Sequence, residues 1–285
     1  MRLVAAAIVL VGASVLAPSQ SAAKYASYVI DAETGTVLHQ INANTRNYPA
    51  SLTKMMTLYM IFDALDNGKI SLNTPLRVTA RAARQPASKL GLQKGQWITF
   101  ENAIPAIVVK SANDVAAAVS ETLAKSERDF ALSMTAMARK IGMSSTTFRN
   151  ASGLPHRGQL STARDMATLA LRLQRDFPHH YHYFKEQTFR YKGLTYRSHN
   201  ALLKSYPGAD GMKTGYIRAS GFNLVTSVER DGQRLIGVVF GGRSSRSRDK
   251  HMVKLLDQSY RKLGGTHSEV AVKAMPDGGK CMGFV

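Results

Sequence analysis

A serine and a lysine three positions apart, Ser51 and Lys54, are the first residues in this sequence that could do chemistry. They open a stretch that is apolar on nearly every side to about Leu65, which predicts a buried helix that begins at Pro49 and closes at Gly68. On a helix this spacing places both side chains on one face, one turn apart. Because burial lowers the pKa of a lysine, a neutral amine could accept the proton of the hydroxyl and make it a nucleophile.

The Ser-x-x-Lys pattern is a weak signal by itself, because it occurs four times in the chain. The copies begin at Ser21, Ser51, Ser247 and Ser259. Only the Ser51 copy opens a strongly apolar helix, and only this copy is followed in order by the two motifs described next. Those motifs decide between a catalytic pair and a chance spacing.

The second motif is Ser111-x-Asn113, which falls at a polar break between two predicted helices. Ser-x-Asn also begins at Ser71 and Ser198, so this pattern too is weak alone. Polar side chains at such a break can face a cavity. The alternative is that Ser111 or Asn113 only caps the helix that follows, and the two roles can coexist.

The third motif, Lys213-Thr214-Gly215, occurs once and lies inside a predicted strand. At the edge of a cleft, Lys213 could hold a carboxylate as a point charge, and Thr214 could add a hydroxyl donor. Gly215 would let a substrate approach the backbone closely. The alternative is an ordinary strand lysine exposed to solvent.

The elements that must position these motifs alternate between strands at both ends and helices in the middle. Periodicity and turn residues predict strands at 25–30, 36–41, 188–191, 194–197, 211–217, 222–229 and 234–240. They predict further helices at 99–109, 114–124, 126–140, 162–175 and 248–263, with Thr162 and Asp165 as a capping box. We therefore expect an α/β fold, with an antiparallel sheet from N- and C-terminal strands flanked by helices and a mostly helical middle subdomain.

The N-terminus has a positive start, a short apolar run and a small-residue end at Ala23. This pattern predicts a secretory signal peptide over residues 1–23, with an uncleaved membrane anchor as the alternative. We expect the main domain to cover residues 24–265 and a flexible tail to cover 266–285. The predicted destination is therefore the periplasm or the outer face of the cytoplasmic membrane.

The chain of 285 residues carries a net charge of +19, with lysine and arginine spread along its length. Export argues against nucleic acid as the partner. A basic face suits an anionic partner outside the cytoplasm, such as a cell-wall polymer or a membrane surface. The alternative is that the charge only keeps the protein soluble.

Cysteine and histidine give no sign of a metal site or a disulfide framework. The single cysteine is Cys281. His179, His180 and His182 lie close together, and we expect no acidic partner near them, so we interpret them as a solvated helix end. We expect no metal and no cofactor.

The three motifs, in this order, match the signature of penicillin-binding proteins and class A β-lactamases. From about residue 24 to residue 263, the chain resembles the low-molecular-mass penicillin-binding proteins, which are serine D-alanyl-D-alanine carboxypeptidases. Further matching segments lie at 28–31, 150–165, 210–215 and 221–225. The resemblance implies a β-lactamase/transpeptidase-like fold without a cofactor.

The resemblance also implies a two-step acyl transfer. Ser51 would attack the carbonyl between two D-alanines of a peptidoglycan stem peptide, and Lys54 would accept its proton. Ser111 would relay a proton to the leaving D-alanine, and Asn113 would orient the substrate amide. Water would then release the acyl group, whereas β-lactams would acylate Ser51 and stay bound.

Substrate binding is implied in the same way. Backbone N–H groups of the nucleophile and Tyr216 would hold the oxyanion. Lys213, Thr214 and Gly215 would line the site of the terminal carboxylate, with help from Arg248, which matches a family arginine after the last strand. Two neighbours compete with it for this role: Arg243 and Arg246.

Three other functions are weighed against this one. A class A β-lactamase needs a glutamate to activate water, and there is no glutamate between Glu127 and Glu186, where it should fall. An endopeptidase that cuts peptidoglycan cross-links and a non-catalytic wall-binding protein remain open. Because the sequence continues only briefly past the main domain, we expect membrane contact to be at most peripheral.

Overall fold

Strands from both ends of the chain join in one antiparallel sheet. In this computed structural model, which describes residues 24–264, the strands are β1 (Ala26–Asp31), β2 (Val37–Ile41), β3 (Pro75–Arg77), β4 (Trp97–Thr99), β5 (Thr188–Tyr191), β6 (Leu194–Arg197), β7 (Ala209–Ile217), β8 (Gly221–Arg230) and β9 (Gln233–Gly242). The order in the main sheet is β2-β1-β9-β8-β7, while β3-β4 and β5-β6 form two small hairpin-like sheets. The predicted α/β fold is therefore confirmed.

Helices cover both faces of the main sheet. They are α1 (Thr53–Asp66), α2 (Ala80–Ala83), α3 (Phe100–Val108), α4 (Asn113–Leu123), α5 (Glu127–Lys140), α6 (Ala163–Asp176), α7 (Leu202–Ser205) and α8 (Ser245–Lys262), with 3₁₀ helices at Ala50–Leu52 and Tyr181–Lys185. The predicted signal peptide and tail lie outside the described residues, as does Gly265. Among residues 24–264, no helix has both the length and the apolar character needed to cross a bilayer.

Side chains alternate along β9 between two hydrophobic clusters, one on each face of the main sheet. Leu235 and Val239 belong to a cluster with residues of α8, whereas Ile236 and Val238 belong to the larger core on the opposite face. Gly237 lies where α8 approaches most closely, since a Cβ atom there would come within 2.6 Å of a methionine sulfur. Central strands buried on both faces give the site a rigid floor.

Helix α1 runs through the helical middle of the molecule. Ten of its fourteen residues are buried, which is why its sequence is apolar on every side. Asn67 ends it and Gly68 follows with φ +66°, the left-handed conformation expected after a helix C-terminus. The buried helix predicted from the sequence is confirmed, although its first turn is 3₁₀.

Several helix ends differ from the sequence-based expectations. Ala112 is the N-cap of α4 and makes no side-chain bond, so the suggestion that Ser111 or Asn113 caps this helix is wrong. Thr162 caps α6, but the carboxylate of Asp165 accepts from Ser145 N instead of closing a capping box. Helix α8 begins three residues earlier than predicted, because Ser244 and Ser247 form a capping box.

Candidate active site

Ser51 lies in the tight 3₁₀ turn Ala50–Leu52, just before α1. Ala50 has φ +49°, a conformation that costs energy for a residue with a side chain. Two glycines allow this turn to pack: a Cβ atom at Gly153 would lie 1.9 Å from Ala50 O, and one at Gly215 would lie 3.0 Å from Ser51 N. Ser51 thus lies between a loop and the edge strand β7.

Lys54 lies one turn along the chain from Ser51 and is completely buried. Its Nζ lies 3.3 Å from Ser51 Oγ, 2.7 Å from Asn113 Oδ1 and 2.5 Å from Ser152 O. All three partners are neutral oxygens. Burial, and then the charge of Lys213, holds the pKa of Lys54 well below its usual range.

A neutral Lys54 fits this set of contacts. A primary amine has two N–H donors, which can serve Asn113 Oδ1 and Ser152 O. Its lone pair can then face Ser51 Oγ and accept the hydroxyl hydrogen. This arrangement is that of a nucleophile with its base.

Ser111 and Asn113 enter the site from the start of α4. Ser111 is buried, has φ +58° and lines the cleft. The side-chain amide of Asn113 is engaged within the protein, since its Oδ1 accepts from Lys54 and its Nδ2 donates to Pro86 O at 2.9 Å. The geometry favours Asn113 as a positioning residue for the lysine, and its role in orienting the substrate amide stays a prediction.

The Lys-Thr-Gly motif lies on β7, beside the serine turn. Lys213 is buried and its Nζ donates to Thr214 O at 3.0 Å, so the alternative of an exposed strand lysine is wrong. Burial, and then the nearby charge of Arg248, lowers the pKa of Lys213 to about 7. Thr214 lines the cleft, whereas Lys213 is buried next to it in the strand.

Arg248 is the arginine that reaches the cleft. Its guanidinium donates to Asn223 O at 3.2 Å and to Asp249 Oδ1 at 2.9 Å, and it forms part of the cleft wall. The competing residues Arg243 and Arg246 are exposed.

The cleft collects most of the predicted site. It has a volume of about 390 Å³. Seven of the nine predicted residues line it, while Lys54 and Lys213 lie beneath its surface; the seven are Ser51, Ser111, Asn113, Thr214, Gly215, Tyr216 and Arg248. Tyr216 is 54% exposed, so it belongs to the rim of the cleft.

Sequence reasoning missed several residues that line this cleft, among them Ser152, Gly153 and His199. Ser152 and Gly153 lie in a segment that matched the family, but nothing assigned them a place in the site. His199 is the middle residue of the third Ser-x-Asn copy and carried no signal of its own. Desolvation in the cleft, and then the charges of Lys213 and other nearby cations, lowers the pKa of His199 to about 4, so its imidazole is neutral.

The sheet flanked by helices, with a serine–lysine pair at its edge and Lys-Thr-Gly on the facing strand, defines the fold and site of the penicillin-binding proteins. Within that class, residues 13–244 match the family described as D-alanyl-D-alanine carboxypeptidase, and the chain belongs to this family. The resemblance found in the three motifs is thereby confirmed.

Curated relatives agree with this assignment. The chain is 36% identical over 255 residues to the D-alanyl-D-alanine carboxypeptidase DacC of Escherichia coli, a match that covers 87% of this chain and 63% of the relative. It is 35% identical over 238 residues to DacF of Bacillus subtilis, covering 81% of this chain and 61% of the relative. The chain thus spans less than two thirds of the length of these relatives.

Solved structures extend the likeness to three dimensions. Penicillin-binding protein 5 of Haemophilus influenzae superposes with a TM-score of 0.79 at 32% identity, covering 85% of this chain and 72% of that one. Penicillin-binding protein D2 of Listeria monocytogenes, in its ampicillin-bound form, gives a TM-score of 0.76 at 31% identity, covering 82% and 96%.

Proposed function

We propose that this protein is a serine DD-peptidase that removes the terminal D-alanine from peptidoglycan stem peptides through an acyl-enzyme on Ser51. One observation carries the proposal: the buried amine of Lys54 contacts Ser51 Oγ, and its other two contacts are neutral acceptors. A desolvated lysine held in this way is suited to act as a general base near neutral pH.

The first step forms the acyl-enzyme. Lys54 takes the hydroxyl proton as Ser51 Oγ bonds to the carbonyl carbon between the two D-alanines. The negative charge that develops on the carbonyl oxygen would be held by the backbone N–H groups of Ser51 and Tyr216. The close packing of β7 on the serine turn supports this placement, and one such donor is commonly worth about 3 kcal/mol.

The acyl-enzyme is complete when the first product leaves: the proton on Lys54 passes through the hydroxyl of Ser111 to the leaving nitrogen, the C–N bond breaks, and free D-alanine departs. In the second step, water attacks the ester carbonyl and Lys54 accepts its proton. The bond between the carbonyl carbon and Ser51 Oγ then breaks, Ser51 Oγ takes the proton from Lys54, and the shortened peptide leaves with a new carboxylate. A β-lactam would follow the first step and remain attached to Ser51.

The terminal carboxylate of the substrate would bind at Thr214 and Arg248, which line the cleft close to each other. Lys213 lies behind them and adds positive charge to this end of the cleft. Because an anion favours the charged ammonium, the bound carboxylate would raise the pKa of Lys213 above its value of about 7.

The setting of this activity is inferred from the N-terminal sequence pattern and the charge of the chain. We propose that residues 1–23 are a signal peptide, that 24–265 are the catalytic domain, and that 266–285 are a tail. The protein would then act in the periplasm or at the outer face of the cytoplasmic membrane. Its net charge of +19 suits the anionic polymers of a cell wall.

Purified muropeptides and mass spectrometry test the substrate. Loss of one alanine from monomeric stem peptides is the expected result. Conversion of cross-linked dimers to monomers would identify an endopeptidase instead. Absence of both products from protein that still reacts with penicillin would overturn the peptidase proposal.

A fluorescent penicillin tests the nucleophile. We expect Ser51→Ala to abolish covalent labelling, because among residues 24–264 no other hydroxyl contacts a buried lysine amine. The matched control is Ser247→Ala, since Ser247 begins another Ser-x-x-Lys copy that lies on α8 outside the cleft. Equal labelling of Ser51→Ala and the wild type would favour a non-catalytic binding protein.

A further inference from the structure

Two imidazoles and a carboxylate meet at the end of α1 that lies far from Ser51. Asp66 Oδ1 is 2.9 Å from His179 Nε2 and 2.9 Å from His180 Nε2. The three ligand atoms all lie within 4.8 Å of one another. The expectation that these histidines lack an acidic partner is therefore wrong, since the fold brings one from more than a hundred positions away.

The cluster is held from several sides. The ring of His180 stacks on Phe62 of α1, with centroids 4.8 Å apart and planes 17° apart. The backbone oxygen of His179 accepts from His182 Nδ1 at 2.8 Å. Asp66 is the last residue of α1, where the helix dipole favours a positive charge. These contacts order the imidazoles and place the carboxylate at a cation-attracting helix end.

We propose that Asp66, His179 and His180 bind a divalent transition-metal ion of the Zn²⁺ type. Two imidazole nitrogens and one carboxylate oxygen are a common ligand set for zinc. Tetrahedral coordination at roughly 2.0–2.1 Å separates neighbouring ligands by about 3.4 Å. The two carboxylate–imidazole distances of 2.9 Å would lengthen by about half an ångström on that geometry, and the two imidazole nitrogens already lie within 4.8 Å of each other. His179 is 58% exposed and Asp66 is 34% exposed, which leaves room for water as the remaining ligand.

The metal ion has a structural role and no part in acyl transfer. Ser51 precedes Asp66 by fifteen positions, which along a helix is about 22 Å. The two histidines come directly before the 3₁₀ helix Tyr181–Lys185, and Tyr181 donates to Asp210 on β7 at 3.0 Å. The ion would therefore connect the end of α1 to the 3₁₀ helix Tyr181–Lys185, which packs on β7.

Metal titration of the full-length, chelator-treated protein tests the proposal. We expect wild-type protein to bind one Co²⁺ with the visible absorption of a four-coordinate site, and to bind Zn²⁺ in competition with it. His179→Ala and Asp66→Asn should each weaken the affinity at least roughly tenfold, because each removes a direct ligand. The matched control is His156→Ala, which removes one histidine from a loop away from the cluster and should bind as the wild type does.

Thermal unfolding distinguishes a specific metal site from nonspecific binding of metal to the surface. Zn²⁺ should raise the melting temperature of the wild type and of His156→Ala, and should leave those of His179→Ala and Asp66→Asn unchanged. Penicillin labelling of Ser51 should be equal in all four proteins, so failure of this proposal is distinct from failure of the proposed function. Equal metal affinity in all four proteins, or no binding by the wild type at about 100 μM metal, would overturn it.

Discussion

Two neighbouring regions of this molecule bury charged side chains in different ways. At the start of α4, the carboxylate of Asp114 is fully buried and accepts from four backbone N–H groups, those of Leu90, Gly91, Leu92 and Val115, at 2.9–3.1 Å. In the adjoining cleft, Lys54 and Lys213 are also buried, and their amines donate hydrogen bonds to neutral oxygens.

The difference separates a structural charge from a reactive one. The buried carboxylate of Asp114 is fully hydrogen-bonded. It connects the loop before β4 to α4, and few of its acceptor sites are left for a substrate. A buried ammonium without a carboxylate in contact is destabilised. Loss of its proton, or binding of an anion beside it, is therefore favourable. The buried lysines of the cleft are therefore suited to react or to bind an anion, whereas the buried carboxylate of Asp114 stabilises the fold.

Replacement of Lys54 gives the largest expected effect. Lys54→Met keeps most of the side-chain volume and removes the base, so the rate of acylation by penicillin should fall about 10³-fold, which is roughly 4 kcal/mol in the barrier. Stopped-flow or quenched labelling measures this rate. The exposed Lys69→Met is the control, and a Lys54→Met rate within tenfold of wild type would remove Lys54 from the base role.

Replacement of Asp114 should act on stability instead. Asp114→Asn keeps one acceptor oxygen and leaves buried N–H groups of the loop without partners, which should cost about 2–3 kcal/mol of unfolding free energy. Urea unfolding measures the loss. Asp231→Asn, in an exposed turn at φ +49°, should unfold as the wild type does. If the two variants are equally stable, the contrast between the two regions fails.

Replacement of Lys213 should give the smallest change and the opposite sign. Its folded pKa of about 7 lies below the ordinary 10.5, so the unfolded state binds more protons between these values. The cost of burying Lys213 is thus fully present below about pH 7 and disappears as pH rises towards 10.5.

Lys213→Met should therefore stabilise the fold by about 1–2 kcal/mol near pH 6, and by less near about pH 9. Urea unfolding at the two pH values measures both differences, and Lys69→Met again serves as control. The same variant should bind substrate carboxylate poorly. A stability gain that grows with pH would show that the sign of the pKa shift is wrong.

Much of this fold was predictable because its signals are local. The apolar run after Ser51 predicts a buried helix from its composition alone. The Lys192-Gly193 and Asp231-Gly232 turns, all at positive φ, predict two hairpins. Family motifs then predicted which residues meet in the cleft, and seven of them line it.

What the sequence did not predict depends on contacts between distant positions. Asp66 and His179 are 113 residues apart, so no spacing rule connects them. The burial of Lys213 and the neutral state of His199 arise from the surrounding elements, which a sequence pattern does not describe. The engagement of the Asn113 amide by Lys54 and Pro86 likewise depends on where a separate loop passes.

The two glycines that grip the serine turn limit how this protein can change. A side chain at Gly153 would collide with backbone atoms of the turn, and one at Gly215 would press against them at 3.0 Å. Backbone atoms cannot rotate away as a side chain can. If β-lactams acylate Ser51 as proposed, substitutions that weaken their binding have little room at the base of the site, and we expect them at exposed rim positions such as Tyr216.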